Sequence, residues 1–218
     1  MLSATCFLRC SRLSRFFGDF AALRQVELAC PAGTLTALWG ANGAGKSTLL
    51  RILAGGLRPS EGEAWIGDAA AGTAAARRQT GLLWHASLLQ PALTVAENLR
   101  FYARLYGLSA AAAERALAEV GGELLGARRV GELSQGMRQK AALARCLVHA
   151  PKLLLLDEPF ASLDSASVGE LQATLARLRE GGTTILASSH QAEPLRALAD
   201  AELTLERGRL SAGAASHA

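Results

Sequence analysis

One short segment of the chain combines glycines, a lysine and hydroxyl side chains at a spacing that suits phosphate binding. It reads Gly40-Ala41-Asn42-Gly43-Ala44-Gly45-Lys46-Ser47-Thr48 and matches the pattern G-x-x-x-x-G-K-[ST] in full. Glycines let backbone N–H groups approach the phosphates, and the N-terminus of a following helix favours an anion. Lys46 can reach the β- and γ-phosphates, and the Ser47 hydroxyl can ligate Mg²⁺. The segment predicts a site for ATP with Mg²⁺, and its predicted flanking strand and helix argue against a chance glycine-rich turn.

Two acidic residues follow a strongly apolar run later in the chain. The run, Leu153–Leu156, predicts a strand buried on both faces, and Asp157 and Glu158 come directly after it. Open α/β folds bind their ligands at the carboxyl ends of strands, so Asp157 is placed to hold the metal ion. Glu158 is placed to orient or deprotonate an attacking water. With the phosphate loop, this pair indicates hydrolysis of the nucleotide.

Predicted strands and helices alternate along the chain, which indicates an α/β fold built from right-handed βαβ units. Strands are expected near 4–13, 26–29, 35–39, 64–66, 153–156 and 184–187, with a last β pair near 203–210. Helices are expected over 46–54, from 94 to 107, from Ser109 as N-cap to 122, over 134–150 and 165–179, and near 194–198. Residues 69–76 predict a loop or short helix. We expect a single domain, 1–218, with an inserted helical subdomain at about 94–150.

A further segment makes a family resemblance specific. Leu133-Ser134-Gln135-Gly136-Met137-Arg138-Gln139-Lys140 lies just before the acidic pair and resembles the signature motif of ABC transporter ATPases. The family's D-loop is matched by Ser162-Leu163-Asp164, its switch histidine by His190, and its adenine-stacking aromatic residue by Phe17. The matches follow the family order from Phe17 to Gly208, so they cover nearly the whole chain.

This resemblance implies a P-loop ATPase with a mixed sheet core, an N-terminal antiparallel β part and the inserted helical subdomain. It also implies a head-to-tail homodimer that sandwiches two ATP molecules. Each nucleotide would touch the phosphate loop of one subunit and Ser134 and Gly136 of the other, with Asp164 at the same interface. His190 would contact the γ-phosphate. Hydrolysis would then remove the phosphate that bridges the subunits and open the dimer.

Two positions depart from the family pattern. The signature reads LSQGM where the commonest form is LSGGQ, but Ser134 and Gly136 keep the groups that contact phosphate. At the Q-loop position the chain carries His85, and the nearest glutamine, Gln90, is five residues further on. Imidazole is a poorer Mg²⁺ ligand than an amide oxygen, so His85 would act through a hydrogen bond or a water. Whether His85 or Gln90 serves the Q-loop stays open at this point.

The segment around the Q-loop resembles one branch of the family, the ATP-binding subunits of cytochrome c maturation systems (the CcmA branch). The matching features are His85, the run LTVAENLRFY over 93–102, the run DEPF over 157–160, and the short chain. This branch implies a separate multi-span permease (CcmB-like) in a two-plus-two complex, and a role in haem delivery. The partner contact would lie at about 85–106, where Tyr102 and Tyr106 would either touch the permease or pack within the helical subdomain.

Composition limits the remaining choices. No apolar run approaches the about 20 residues of a membrane helix, residues 1–15 lack the apolar stretch of a secretory signal, and the net charge of +4 is spread along the chain. We therefore expect a cytoplasmic protein, peripheral on the inner face of the membrane, with no nucleic-acid partner. The cysteines, Cys6, Cys10, Cys30 and Cys146, are expected to be idle thiols. The alternatives are an exporter ATPase for lipoprotein, drug or another small substrate, a soluble ABC ATPase, and, less favoured, a small-molecule kinase.

Overall fold

The chain folds into two β-sheets with helices packed between them and on one outer face. The computed structural model describes residues 6–84, 86–190 and 193–212. In chain order, the elements are β1 (Cys6–Phe17), β2 (Phe20–Pro31), β3 (Leu35–Trp39), α1 (Lys46–Leu53), β4 (Glu61–Ile66), β5 (Ala69–Ala70), α2 (Ala74–Arg78), β6 (Thr80–Leu83), α3 (Val95–Leu105), α4 (Ala111–Glu119), α5 (Gln135–Leu147), β7 (Leu153–Asp157), α6 (Ser165–Glu180), β8 (Thr184–Ser189), β9 (Ala201–Glu206) and β10 (Arg209–Ala212). Short 3₁₀ turns lie at Glu123–Leu125, Val130–Glu132 and Arg196–Leu198.

The larger sheet has the strand order β10-β9-β3-β8-β7-β6. Strands β3, β6, β7, β8 and β9 are parallel, and β10 pairs antiparallel with β9. Trp39 is opposite Ser189 and Asp157 is opposite Ser188, so three central strands end at one edge. Because of this register, the residues that follow those strands, Gly40, Glu158 and His190, start from the same place.

The smaller sheet is antiparallel, with the order β2-β1-β4-β5. It begins with a hairpin in which Phe17 is opposite Phe20 across Gly18, whose φ of 56° lies in the left-handed region. Helix α1 buries Leu49, Leu50 and neighbouring apolar side chains in the core that this sheet shares with the larger one. The N-terminal antiparallel part expected from the resemblance is therefore confirmed.

Strand β7 shows why the larger sheet needs cover on both faces. Leu153 and Leu155 pack into the core shared with the smaller sheet, whereas Leu154 and Leu156 pack into the core formed with α3, α4, α5 and α6. Alternate side chains of a strand point to opposite faces, so an all-leucine run is buried on both. The strand predicted from this run is confirmed.

Several boundaries differ from the sequence predictions. Strands β1 and β2 are each 12 residues long, longer than predicted, because they pair along their length in the hairpin. Strand β6 was not predicted, because it is short and contains Gly81; a Cβ there would lie 2.7 Å from the carbonyl oxygen of Cys146 in α5. Ser109 is not the N-cap of α4, which has Ala110 at that position with no side-chain hydrogen bond. Within the described ranges, none of the helices is long and apolar enough to cross a membrane.

Candidate active site

The glycine-rich loop connects β3 to α1 at the edge where the parallel strands end. Two of its glycines are needed for packing. A Cβ on Gly40 would lie 2.5 Å from the carbonyl oxygen of Leu205, and one on Gly45, whose φ is 110°, would lie 2.5 Å from that of Ala22. Lys46 is 6% exposed and its Nζ donates to the carbonyl oxygen of Gly40 at 2.7 Å. The lysine therefore lies under the loop, with its ammonium group inside the curve of the backbone.

Asp157 lies beside the first turn of α1. The Ser47 hydroxyl donates to its Oδ2 at 2.9 Å, and the Ser188 hydroxyl donates to its Oδ1 at 2.7 Å. A hydroxyl and a carboxylate are the hard oxygen donors that Mg²⁺ accepts, with its other positions left to phosphates and water. The pair predicted as metal ligands therefore fits Mg²⁺. In the described part of the chain, no group of three or more His, Cys, Asp and Glu side chains is arranged as a metal site made of protein ligands alone.

Glu158 joins the loop to the residue predicted as the switch histidine. Its Oε1 lies 3.3 Å from Lys46 Nζ, and its Oε2 lies 2.9 Å from His190 Nδ1. Its φ is 51°, a left-handed conformation that costs energy for a residue with a Cβ, and its backbone N–H donates to the carbonyl oxygen of Ser188 at 3.1 Å. The structure thus gathers Lys46, Glu158 and His190 around one point, and an incoming γ-phosphate would compete with the Glu158 carboxylate for the lysine.

The residues of the signature and D-loop lie at the starts of α5 and α6. Ser134 is the N-cap of α5 and accepts a hydrogen bond from the Met137 N–H at 3.3 Å. Asp164 is the N-cap of α6 and accepts from the Ser167 N–H at 2.8 Å, which lowers the pKa of its carboxyl group. Gly136 packs against Ser167, with no room for a Cβ. Ser134, Gly136 and Asp164 therefore make their contacts at the starts of α5 and α6. Lys46 and Ser47 make theirs within the glycine-rich loop and with the acidic pair at the end of β7.

The residues predicted to stack on adenine and to serve the Q-loop lie at exposed positions or outside the described residues. Phe17 is 47% exposed at the β1–β2 turn, with the Arg15 guanidinium 4.5 Å from its ring centroid. His85 lies outside the described residues. Gln90 is exposed, and its backbone N–H donates to Asn98 Oδ1 at 2.7 Å. Phe17 and Gln90 are therefore both exposed to solvent.

The segment that follows β6 is held by residues that sequence reasoning did not single out. Arg145 is 9% exposed; its Nε donates to the carbonyl oxygen of Ser87 at 3.1 Å and its Nη2 to that of Leu82 at 2.7 Å. The Tyr102 hydroxyl donates to the carbonyl oxygen of Leu88 at 2.6 Å. The sequence did contain a signal for Arg145, because a charged residue within the apolar run 141–148 would be buried and would need partners.

Tyr106 also has a partner within the subunit. Its ring stacks on that of His149 with centroids 4.1 Å apart, and burial lowers the pKa of His149. Together with the hydrogen bond of Tyr102, this contact favours packing within the subunit over a free contact surface for both tyrosines.

Arg145→Met should destabilise the protein. It leaves two carbonyl oxygens without their charged donor, so we expect the free energy of unfolding to fall by about 2–3 kcal/mol and Tm by about 5–10 °C. Thermal unfolding followed by circular dichroism measures this change. Arg115→Met, at an exposed position of α4, is the control and should leave Tm nearly unchanged. Equal Tm values for the two variants would contradict the role assigned to Arg145.

Comparison with known proteins shows the family. The family model described as ABC transporter matches residues 23–161. The chain is 40% identical over 199 residues to the aliphatic sulfonates import ATP-binding protein SsuB 2 of Pseudomonas aeruginosa (strain UCBPP-PA14), covering 91% of this chain and 71% of that protein. It is 42% identical over 192 residues to the thiamine import ATP-binding protein ThiQ of Rhizobium meliloti (strain 1021), covering 85% and 81%.

Solved structures agree at the level of the fold. The ATP-binding subunit of an ABC transporter superposes with a TM-score of 0.86 at 30% identity, covering 96% of this chain and 90% of that one. A dimeric ATP-binding cassette in a post-hydrolysis state with ADP and Pi gives a TM-score of 0.86 at 24% identity, covering 97% and 99%. The chain belongs to the ABC transporter ATP-binding family. Within that family it is the ATP-binding subunit of a transporter, and it is an ATPase.

Proposed function

We propose that two copies of the chain form a head-to-tail dimer that sandwiches two ATP molecules and couples their hydrolysis to a membrane permease. One observation carries this proposal. Lys46, Asp157, Glu158 and His190 converge at one edge of the sheet, whereas Ser134 caps α5 and makes its contacts there. In a single subunit, the group around Lys46 and the group around Ser134 would each provide only part of the expected phosphate contacts. In the head-to-tail dimer, a second copy supplies the part that each group lacks.

Each predicted residue has a role in this proposal. The backbone of Gly40–Thr48 and the Lys46 ammonium hold the β- and γ-phosphates, and Phe17 stacks on adenine. Ser47 and Asp157 hold Mg²⁺, which would neutralise charge on the phosphates. The Glu158 carboxylate orients the attacking water and accepts its proton, and His190 contacts the γ-phosphate. From the partner copy, Ser134, Gly136 and Asp164 close the site. Loss of the γ-phosphate as Pi breaks this bridge, so hydrolysis opens the dimer.

The permease partner is proposed from the sequence. We infer that the chain serves a cytochrome c maturation complex with a CcmB-like permease, docked at about 85–106, and that it is peripheral on the cytoplasmic face of the inner membrane. The support is His85 and the run LTVAENLRFY over 93–102. We also propose that 1–218 is one ABC ATPase domain with its helical subdomain at about 94–150, where α3, α4 and α5 pack in one core.

A second candidate is an ABC transporter for another small substrate. It is favoured by the identity of 40% to a protein named for sulfonate import and of 42% to one named for thiamine import. The two candidates share the ATPase chemistry and differ only in the permease.

Capture of the partner distinguishes these candidates. A tagged Glu158→Gln variant is trapped with ATP in membranes of the natural host, and the co-purifying proteins are identified by mass spectrometry. We expect a multi-span protein together with cytochrome c maturation factors. A sulfonate or other small-substrate permease would support the second candidate, and the absence of any membrane protein would contradict both. Glu180→Gln, at an exposed position at the end of α6, is the matched variant that should not be trapped.

A further inference from the structure

The turn that carries Glu158 is fastened at two points. On one side, the Glu158 N–H donates to the carbonyl oxygen of Ser188 in β8 at 3.1 Å. On the other side, Gln139 Nε2 in α5 donates to the carbonyl oxygen of Pro159 at 2.7 Å. Between these anchors, Glu158 holds its left-handed φ of 51°. Such a conformation persists only where the surrounding contacts enforce it, so both anchors matter for where the carboxylate points.

The Gln139 bond is more than a surface contact. Pro159 is buried, and a buried carbonyl oxygen needs a donor. Proline has no N–H of its own, and the N–H of Ala161 is directed to the carbonyl oxygen of Glu158 at 3.1 Å. The Gln139 amide therefore fixes the Pro159–Phe160 peptide unit, one residue beyond Glu158, by a donor from a different element of the fold.

Helix α5 links this turn to the signature. Its N-cap is Ser134, five residues before Gln139, and Gly136 in its first turn packs directly against Ser167 of α6. The neighbouring Lys140 forms an ion pair with Glu170 of α6 at 2.8 Å. The start of α5 is therefore attached to α6. Because a helix of 13 residues moves as one rigid element, a shift of Ser134 would move Gln139 with it.

We propose that Gln139 is a positioning residue that ties the Glu158 turn of each subunit to the signature of the same subunit. This inference rests on the proposed head-to-tail dimer, in which Ser134 meets the nucleotide of the partner copy while Glu158 acts on the subunit's own nucleotide. Closure of α5 onto the partner's ATP then sets the Glu158 carboxylate for hydrolysis at the subunit's own site, so each site reports its occupancy to the other.

The test compares steady-state hydrolysis by Gln139→Met, Gln139→Lys and the wild type. Methionine has a similar length but no donor, so we expect kcat to fall about tenfold with KM changed less than about twofold, because a misdirected catalytic group costs rate and not binding. Lysine keeps an N–H donor and should retain more of kcat than methionine. The Hill coefficient for ATP should fall towards one in Gln139→Met.

Gln79→Met is the matched control. It makes the same chemical change just before β6, at the opposite edge of the sheet from Glu158, where Gln79 Nε2 donates to the carbonyl oxygen of Ala75 at 3.4 Å. We expect its kcat within about twofold of the wild type, with both variants unfolding within a few °C of it. An unchanged kcat for Gln139→Met, or an equal fall in Gln79→Met, would overturn the inference.

A second measurement separates this inference from the proposed function. In the Glu158→Gln background, Gln139→Met should still form an ATP-dependent dimer by light scattering, because Gln139 does not touch the nucleotide. If Glu158→Gln alone forms no dimer with ATP, the proposed dimer fails. If the dimer forms but Gln139→Met hydrolyses ATP at the wild-type rate, only the positioning role fails.

Discussion

Replacing Glu158 with Gln is expected to lower kcat for ATP hydrolysis about 10³-fold, which is the contribution typical of a positioned general base. The carboxylate is the only group of this residue that can accept the proton of the attacking water, and glutamine keeps its shape without that basicity. The assignment rests on the contacts of Glu158 with both Lys46 and His190, which we propose to contact the γ-phosphate. The measurement is the release of inorganic phosphate at saturating ATP and Mg²⁺.

Glu180→Gln provides the control for this first prediction. It makes the same chemical change at the exposed end of α6, remote from the phosphate loop, and should keep kcat within about twofold of the wild type. If Glu158→Gln hydrolysed ATP within about tenfold of the wild-type rate, another group would have to serve as the base.

Lys46→Met is expected to weaken ATP binding about 100-fold, which corresponds to about 2.7 kcal/mol. In the structure the ammonium is 6% exposed and donates to the carbonyl oxygen of Gly40 inside the loop. With ATP bound it would turn to the β- and γ-phosphates, where charge-assisted hydrogen bonds are strong. Methionine keeps the aliphatic length and removes the charge. Isothermal titration with ATP and Mg²⁺ measures the change.

Lys152→Met tests whether this loss belongs to the site or to overall charge. Lys152 is exposed just before β7, at the opposite end of the strand from Asp157. The substitution removes the same charge as Lys46→Met but at a distance from the phosphates, where solvent and salt screen it. ATP affinity should therefore stay within about twofold of the wild-type value. Equal losses in the two variants would mean that Lys46 has no specific contact with the phosphates.

The sequence predicted the parts of the site that follow directly from local pattern. The phosphate loop and the acidic pair each lie next to an apolar strand, and the strand register brings them to one edge, as open α/β folds require. Ser134 was expected to begin a helix, and it caps α5. Burial raises the pKa of Cys10 and of Cys30 to about 12, so these two thiols stay protonated at neutral pH.

Other parts depend on contacts between distant segments, which a local pattern does not contain. Gln139 and Pro159 are 20 residues apart, and Arg145 reaches back 63 residues to Leu82. Strand β6 was missed because it is short and its glycine, Gly81, interrupts the apolar pattern of a strand. That glycine is explained only by its close packing against α5. The sequence does not predict the transported substrate, because we expect the permease, and not the residues of this chain, to select it.

The central claim is that Ser134 of one copy completes the ATP site of the other, and the oligomeric state of a charge variant tests it most directly. Aspartate and asparagine both keep the N-cap of α5, but only aspartate places a negative charge against the γ-phosphate. In the Glu158→Gln background, light scattering with ATP should find a dimer for Ser134→Asn and a monomer for Ser134→Asp, with ATP still bound to each subunit. A dimer of equal stability in Ser134→Asp would contradict the shared site.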